Sequence, residues 1–281
     1  MPPKKPFFSV IIPTLNEERY LPKLLKSLTH QLDRDFEVIV VDGSSEDKTV
    51  PVARKFAALL PSFSLFASPK RNVSFQRNLG GKKALGQYLI FLDADVTLPT
   101  NFISEAHHSL IEEYKDCRFL TTWVKPDSGK KADSLISNFY NIALEISKTT
   151  AKPVIGGFNM IVKKSAFKKV GGFNEKLRLA EDHELARQLH LRKYRLQILR
   201  DPKITMSFRR FRREGTLNLL RKYAVAGSKY FLEGPITQEL FDYPMGGKVD
   251  TPHPSKSRKR LQVRLKKYLA SINNFLNSPL V

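Results

Sequence analysis

The sequence predicts an α/β protein built on an open, mainly parallel sheet flanked by helices. Short runs dominated by apolar strand-formers recur at Phe7–Ile12, Phe36–Val41 and Tyr88–Leu92, as in strands buried on both faces. Each run stops in a polar turn, and segments with helical apolar spacing lie between them, so β-α-β-α order begins at the first residues. Right-handed crossovers then bring the carboxyl ends of these strands to one edge, where open α/β sheets bind ligands.

At 281 residues the chain is long enough for one large domain or a domain with appendages, and 41% hydrophobic with 10% aromatic residues supplies a core. Cys117 is the sole cysteine, so no intramolecular disulfide forms and a reducing compartment fits. Met1-Pro2-Pro3-Lys4-Lys5-Pro6 enters a strand after two apolar residues, so no signal peptide is expected, and no apolar run approaches a membrane span. The expectation is a cytoplasmic protein, soluble or peripheral at the inner face of a membrane. Lysine and arginine number 48 against 27 acidic residues, a formal charge of +21. Such a charge attracts polyanions of any kind and also raises solubility. From Lys203 onward sixteen basic residues face five acidic ones, about half of the surplus in the last quarter of the chain.

In chain order, Phe7–Thr14 is a strand stopped at Pro13. Asn16 is placed to cap a helix from Glu17-Glu18, with Leu21, Leu24, Leu25 and Leu28 as its apolar face. Phe36–Val41 is the second strand, and the polar turn Asp42–Thr49 feeds a helix over 50–60. Ser64–Ala67 is a weak third strand; Asn72–Gly80 leads a helix to Leu85 before the strand Tyr88–Leu92. Cys117–Trp123 reads as a strand and Ser134–Ser147 as an amphipathic helix through Leu135, Phe139, Ile142, Ala143 and Ile146. In Pro153–Val162, Gly156-Gly157 permits close backbone approach to a ligand or to a neighbouring strand. Ser165–Phe167 opens a short helix ended by Gly171-Gly172, and a helix from Ala180 to about Leu191 turns Leu185, Ala186 and Leu189 inward. Leu196–Leu199 is a further strand. Ser207–Gly215 places four arginines in five positions, the pattern of a basic loop. Thr216–Leu232 is helical, 234–254 is rich in Pro and Gly, and Lys256–Phe275 again shows helix spacing. The expected division is one domain over residues 1–215 and a basic helical extension over 216–281.

The chemistry concentrates where the strand Tyr88–Leu92 ends, at Asp93-Ala94-Asp95. In an extended i, i+2 pair both side chains emerge on one side. A divalent cation relieves their repulsion, and hard carboxylate oxygens suit Mg²⁺ or Mn²⁺. A plain acidic turn explains D-x-D alone as well. No G-x-G-x-x-G follows the first strand and no G-x-x-x-x-G-K-[ST] occurs, so the sheet is expected to bind a nucleotide through carboxylates and a metal, without a glycine cradle.

Ser9-Val-Ile-Ile-Pro-Thr-Leu-Asn-Glu-Glu18, Val40-Val-Asp-Gly-Ser-Ser-Glu-Asp-Lys-Thr49, Arg77-Asn78-x-Gly80, Phe91-Leu-Asp-Ala-Asp95, Gly171-Gly-Phe-Asn174 and Glu181-Asp182 stand in order and spacing like those of family 2 glycosyltransferases. The chain resembles that family over about residues 7–215. The resemblance implies a GT-A fold and transfer of a sugar from a nucleotide diphosphate donor with inversion, residues 1–215 being the catalytic domain. It departs at Asp42-Gly43, where many members carry two consecutive aspartates, so the base is not named. It implies donor-binding roles for Pro13, Thr14, Asn16, Glu17, Asp42, Arg77, Asn78, Asp93, Ala94 and Asp95. The cation would be held chiefly by Asp95, with Asp93 near the ribose, and Gly156, Gly157 and Phe158 would flank the acceptor or sugar cleft.

Acidic residues at helix starts are commonly caps. The helix dipole nevertheless holds Asp182 ionised, and an inverting transfer needs a base within reach of the acceptor hydroxyl. With the resemblance, Asp182 is the expected base and Glu181 its orienting neighbour or a donor-sugar contact. His183 is expected on the helix surface. Arg209 and Arg210 are expected on the diphosphate, which accepts planar bidentate donors.

A basic nucleic-acid-binding protein would account for the charge, but the chain shows no RNP pattern or zinc ligand set, and the strand-end carboxylates would repel phosphates. No nucleic acid partner is expected. A nucleotidyltransferase would carry a Gly-rich basic loop after the first strand, and Pro13-Thr14-Leu15-Asn16 is not one. The expected partners are a nucleotide sugar and a lipid-linked or glycan acceptor in cell-envelope synthesis. The basic amphipathic pattern at Lys256–Phe275 reads equally as attachment to an anionic membrane surface or as packing on the catalytic domain.

Overall fold

The computed structural model describes residues 5–150, 152–238, 240–241 and 246–247. The apolar runs form strands as their composition dictates: β1 (Phe8–Thr14) and β2 (Phe36–Asp42) are buried along their whole length. β3 (Phe63–Ala67) is a partly exposed edge, and β4 (Tyr88–Leu92) is again wholly buried. β5 (Phe119–Pro126), β6 (Asn159–Lys163) and β7 (Leu196–Met206) complete a seven-stranded sheet in the order β3-β2-β1-β4-β6-β5-β7. The first four strands run parallel, β6 is antiparallel to both its neighbours, and β7 returns parallel to β5.

The helices are α1 (Leu21–Thr29), α2 (Thr49–Arg54), α3 (Val73–Lys83), α4 (Phe102–His108, continued by a π-helical turn to Glu113), α5 (Lys131–Ser147), α6 (Lys164–Lys169), α7 (Glu181–Leu191), α8 (Arg209–Glu214) and α9 (Thr216–Glu233). Strand alternation divides the core into two layers. Val10, Ile12, Val38, Val40, Ile90 and Leu92 join the α1 leucines and Phe102, Ile103 and Ala106 of α4. Ile11, Ile39, Val41, Leu89 and Phe91 join Phe167 of α6 and Leu185, Ala186 and Leu189 of α7. The four α1 leucines are fully buried, worth about 1.5–3 kcal/mol apiece. α3 has no such apolar face. It buries Ser74, Gln76, Arg77 and two glycines, and a Cβ at Gly80 would stand 2.4 Å from Ile11, so the helix lies almost directly on β1.

The structure departs from the sequence expectations at several elements. α1 begins at Leu21, and Asn16 does not cap it: Asn16 takes φ 56° and its Oδ1 accepts from the Glu46 backbone at 2.7 Å. The helix expected over 50–60 ends at Arg54. The arginine-rich segment is helix α8, not a loop, because no breaker interrupts it before Gly215. The apolar stripe of α5 faces outward. α9 begins at Thr216 and packs Leu219 against Phe208 and Phe211. The basic segment Lys256–Phe275 lies outside the described residues. No described helix is long and apolar enough to cross a membrane.

Candidate active site

Parallel pairing in register sets Thr14 opposite Asp42, so the turns after β1 and β2 meet. Gly43 N donates to Thr14 O at 2.8 Å, and Gln76 Nε2 of α3 donates to both Thr14 O and Val41 O at 2.8 Å. Asp42 is 4% exposed and accepts from Thr14 Oγ1 at 3.1 Å, Ser45 N at 2.9 Å and Ser45 Oγ at 2.5 Å. Its carboxylate therefore shapes its own turn. Asn16 N donates to Ser45 Oγ, tying the two turns a second time. Pro13 and Thr14 are buried in β1. Gly247 N donates to Leu15 O at 3.0 Å, and a Cβ at Gly246 or Gly247 would fall within 2 Å of the Leu15 or Asn16 carbonyl. Only glycine fits so closely over this turn.

β4 ends at Leu92 and Asp93-Ala94-Asp95 bends away, so the two carboxylates do not share one extended face. They meet different guanidinium groups. Asp93 Oδ1 accepts from Arg77 Nη2 at 2.8 Å, and Arg77 Nη1 donates to Glu181 Oε1 at 2.9 Å. Arg77 is 2% exposed, and its guanidinium joins the end of β4 to the start of α7. Asp95 Oδ2 lies 2.9 Å from Arg209 Nε, whose two Nη atoms donate to Glu17 at 2.9 and 2.7 Å. Arg209 also lies over the Tyr20 ring, 4.3 Å from its centroid. Burial pushes Glu17 up to about 7, opposed by Arg209 and reinforced by Asp95 and Asp93. Burial likewise raises Asp95 to about 6, again opposed by Arg209. Arg210, next on α8, has Nη1 3.7 Å from Glu214. Ala94 is buried in the core.

α7 starts at Glu181, with Asp182 in its first turn. Asp182 Oδ2 accepts from Gly157 N at 2.7 Å and Oδ1 from His183 N at 2.8 Å. Burial raises Glu181, with the Asp182 charge adding and Arg77 opposing. The Gly156-Gly157 pair approaches protein groups: a Cβ at Gly157 would lie 2.7 Å from the Arg77 guanidinium, and one at Gly156 2.2 Å from the Phe158 ring. Asn78 is turned to the chain itself, with Nδ2 donating to Phe173 O at 2.9 Å and Oδ1 accepting from Phe173 N at 2.8 Å.

Three participants escaped the sequence reading. Gln76 closes the β1–β2 turns. Tyr20 backs Arg209. Tyr140 of α5 accepts from Gly156 N at 2.9 Å beside Gly157. Nothing local in sequence pairs any of them with its partner. The edge thus assembles two separate arginine–carboxylate clusters, Arg77 with Asp93 and Glu181 and Arg209 with Glu17 and Asp95, beside the helix-start carboxylate Asp182. Among the described residues no group of three or more His, Cys, Asp or Glu side chains is placed to hold a metal ion by itself.

Residues 9–171 match the family described as Glycosyl transferase family 2. The chain belongs to this family. It is 28% identical over 204 residues to an uncharacterized glycosyltransferase of Haemophilus influenzae, covering 70% of this chain and 63% of that one. It is also 28% identical over 199 residues to the poly(ribitol-phosphate) beta-N-acetylglucosaminyltransferase TarS of Staphylococcus aureus, covering 69% of this chain and 34% of TarS. The match thus spans less than two thirds of either relative. The structure of S. aureus TarS 1–349 in complex with UDP-GlcNAc superposes with a TM-score of 0.59 at 25% identity, covering 73% of this chain and 58% of that one. The family member described here accordingly has the GT-A sheet.

Proposed function

We propose that this chain transfers a hexose from a nucleoside diphosphate sugar to an acceptor hydroxyl or phosphate, with inversion, in the synthesis of a cell-envelope glycan or glycolipid. Family membership supports the reaction class, and the likeness to TarS supports the donor class and the envelope setting. The observation that carries the reading is the Arg77 bridge from Asp93 to Glu181, which holds the D-x-D turn against the start of α7 where Asp182 stands.

The nucleoside would lie along the Pro13–Glu17 turn and Asp42, and its diphosphate at Asp93 and Asp95. Two carboxylates completed by phosphate oxygens are the donor set that Mg²⁺ or Mn²⁺ commonly takes. Asp95 fits it: a buried carboxyl raised to about 6 carries charge that its surroundings compensate incompletely. The bound cation would neutralise the departing diphosphate. Arg209 and Arg210 on α8 would add guanidinium donors to the same phosphates. Asp182 would take the acceptor proton as the acceptor oxygen attacks the anomeric carbon. The bond to the diphosphate then breaks and the nucleoside diphosphate leaves with the electron pair. Glu181, tied to Arg77, would orient the donor sugar.

A panel of nucleotide sugars, assayed for Mn²⁺-dependent release of nucleoside diphosphate, tests the reading. Asp95→Ala should abolish transfer and donor hydrolysis with the fold intact. Asp182→Asn should leave donor affinity nearly unchanged and lower transfer by about 10²-fold or more. Absence of release from every donor, or full transfer by Asp182→Asn, would overturn it.

A further inference from the structure

Helix α5 buries Leu144 but otherwise mainly polar side chains. Asp133, Ser137, Asn141 and Ser147 are buried, whereas Leu135, Phe139, Ile142 and Ile146 are between 53% and 65% exposed. Their spacing of four, three and four residues lines them up along one side of the helix.

Hydrogen bonds set this rotation. Asn141 Oδ1 accepts from Val124 N and its Nδ2 donates to Val124 O, both at 2.9 Å, beside the point where β5 shifts register against β7. Ser128 Oγ donates to Asp133 Oδ2 at 2.5 Å, and Tyr140 holds Gly156. Turning the stripe inward would break these buried bonds, each costly to leave unmade. Among the described residues the apolar side is therefore left uncovered, and an exposed stripe of this kind marks a contact surface.

Charge indicates the contact. Neither carboxylate of α5 joins the stripe: Asp133 is buried, and Glu145 is bridged by Lys148 at 2.9 Å and Arg200 at 2.8 Å. Exposed Lys131 stands at one end, and at the other Lys148 and Arg200 share the single carboxylate of Glu145, which leaves one positive charge in excess. α9, whose Leu219 shares a cluster with Ile136 of α5, itself carries exposed Leu217, Leu220 and Arg221. An apolar stripe with cations at its ends is the pattern of a helix lying in a membrane interface. A hydrophilic polyanion would satisfy only the cations, whereas an anionic bilayer satisfies both.

We propose that the outward face of α5 docks on an anionic lipid bilayer, its stripe entering the acyl boundary and its flanking cations meeting the headgroups. This goes beyond the catalytic reading and does not depend on it. Because Tyr140 of the same helix touches Gly156, and Gly157 touches Asp182, docking would bring the catalytic edge close to an acceptor carried on lipid.

The test uses the full chain and phosphatidylcholine vesicles with or without phosphatidylglycerol, and no sugar donor, so it stands apart from the glycosyl-transfer reading. Asn138→Cys, on the exposed side of α5, and Ala57→Cys, exposed near the β3 edge, each carry an environment-sensitive dye; Cys117 is buried. The dye at 138 should shift to the blue with phosphatidylglycerol vesicles and the dye at 57 should not. Phe139→Ser/Ile142→Ser should keep its thermal unfolding midpoint and sediment with these vesicles at least about tenfold more weakly. Vesicle affinity equal to wild type in that variant, or no shift at 138, overturns the proposal. If the substitutions break a dimer without altering vesicle binding, the face is an interface between copies and the proposal is equally overturned.

Discussion

Replacing Arg77 by Met removes the guanidinium that joins Asp93 and Glu181 while keeping an apolar stem of similar reach. Loss of one partner of a buried ion pair costs about 3–5 kcal/mol. Asp93 is 40% exposed at its side chain, so water screens its half and that half counts for roughly 0–1 kcal/mol. Glu181 is 14% exposed and already raised by burial and by Asp182. Without Arg77 burial and the Asp182 charge would push it further toward the neutral form, which caps the cost, and about 3 kcal/mol remains. Urea unfolding followed by circular dichroism measures this directly. Combining Arg77→Met with Glu181→Gln removes the uncompensated charge, so the double variant should recover about 1–2 kcal/mol relative to additivity. The deficit of Arg77→Met should also shrink as the pH falls, because burial favours the neutral Glu181 carboxyl once the guanidinium is gone. A variant within about 0.5 kcal/mol of wild type, or strictly additive substitutions, would refute the idea that this bridge assembles the site.

Other substitutions separate binding from architecture. Glu17 and Asp95 carry folded-state values of about 7 and 6 against ordinary values of 4.5 and 3.8. The folded protein keeps protons there that the unfolded chain has released, so this contribution to stability is full in acid and is lost as pH rises through 6 to 7. The melting-temperature advantage of wild type over Glu17→Gln should therefore decline from about pH 5 to about pH 8, and a constant difference would contradict the assignment. Asn78→Ala should lose about 1–3 kcal/mol of stability through its two bonds to Phe173. Isothermal titration should then find donor affinity little changed, and a large loss of affinity at unchanged stability would make Asn78 a donor contact instead.

The Arg209 pairs bear on how the edge works. One guanidinium meets Glu17 and Asp95, which follow the carboxyl ends of the adjacent parallel strands β1 and β4, and it rests on Tyr20. Its helix is thereby held against the proposed diphosphate position before any phosphate arrives, so little ordering is required of the protein on binding. Preorganised charge of this kind supplies most of the electrostatic help in transfer to a leaving group.

Much of this protein was legible in the sequence because it depends on neighbours along the chain. Buried parallel strands have to be apolar on both faces, so Val10–Ile12, Val38–Val41 and Leu89–Leu92 announce themselves, and the leucine spacing of α1 does the same. Parallel order then brings Asn16, Asp42 and Asp93 to one edge without further information. Tertiary structure alone decided which charges meet. Arg77 finds Glu181 across 104 residues and Arg209 finds Glu17 across 192, and no local pattern encodes either distance. It also decided that the Gly157 approach is to Arg77, and that Asn16 staples two turns instead of capping a helix. The rotation of α5 is the clearest case. Its period predicts a stripe, but the side on which that stripe lies is set by Asn141 bonding the Val124 backbone of a strand seventeen residues earlier. Periodicity is a property of the segment; orientation is a property of what the segment packs against.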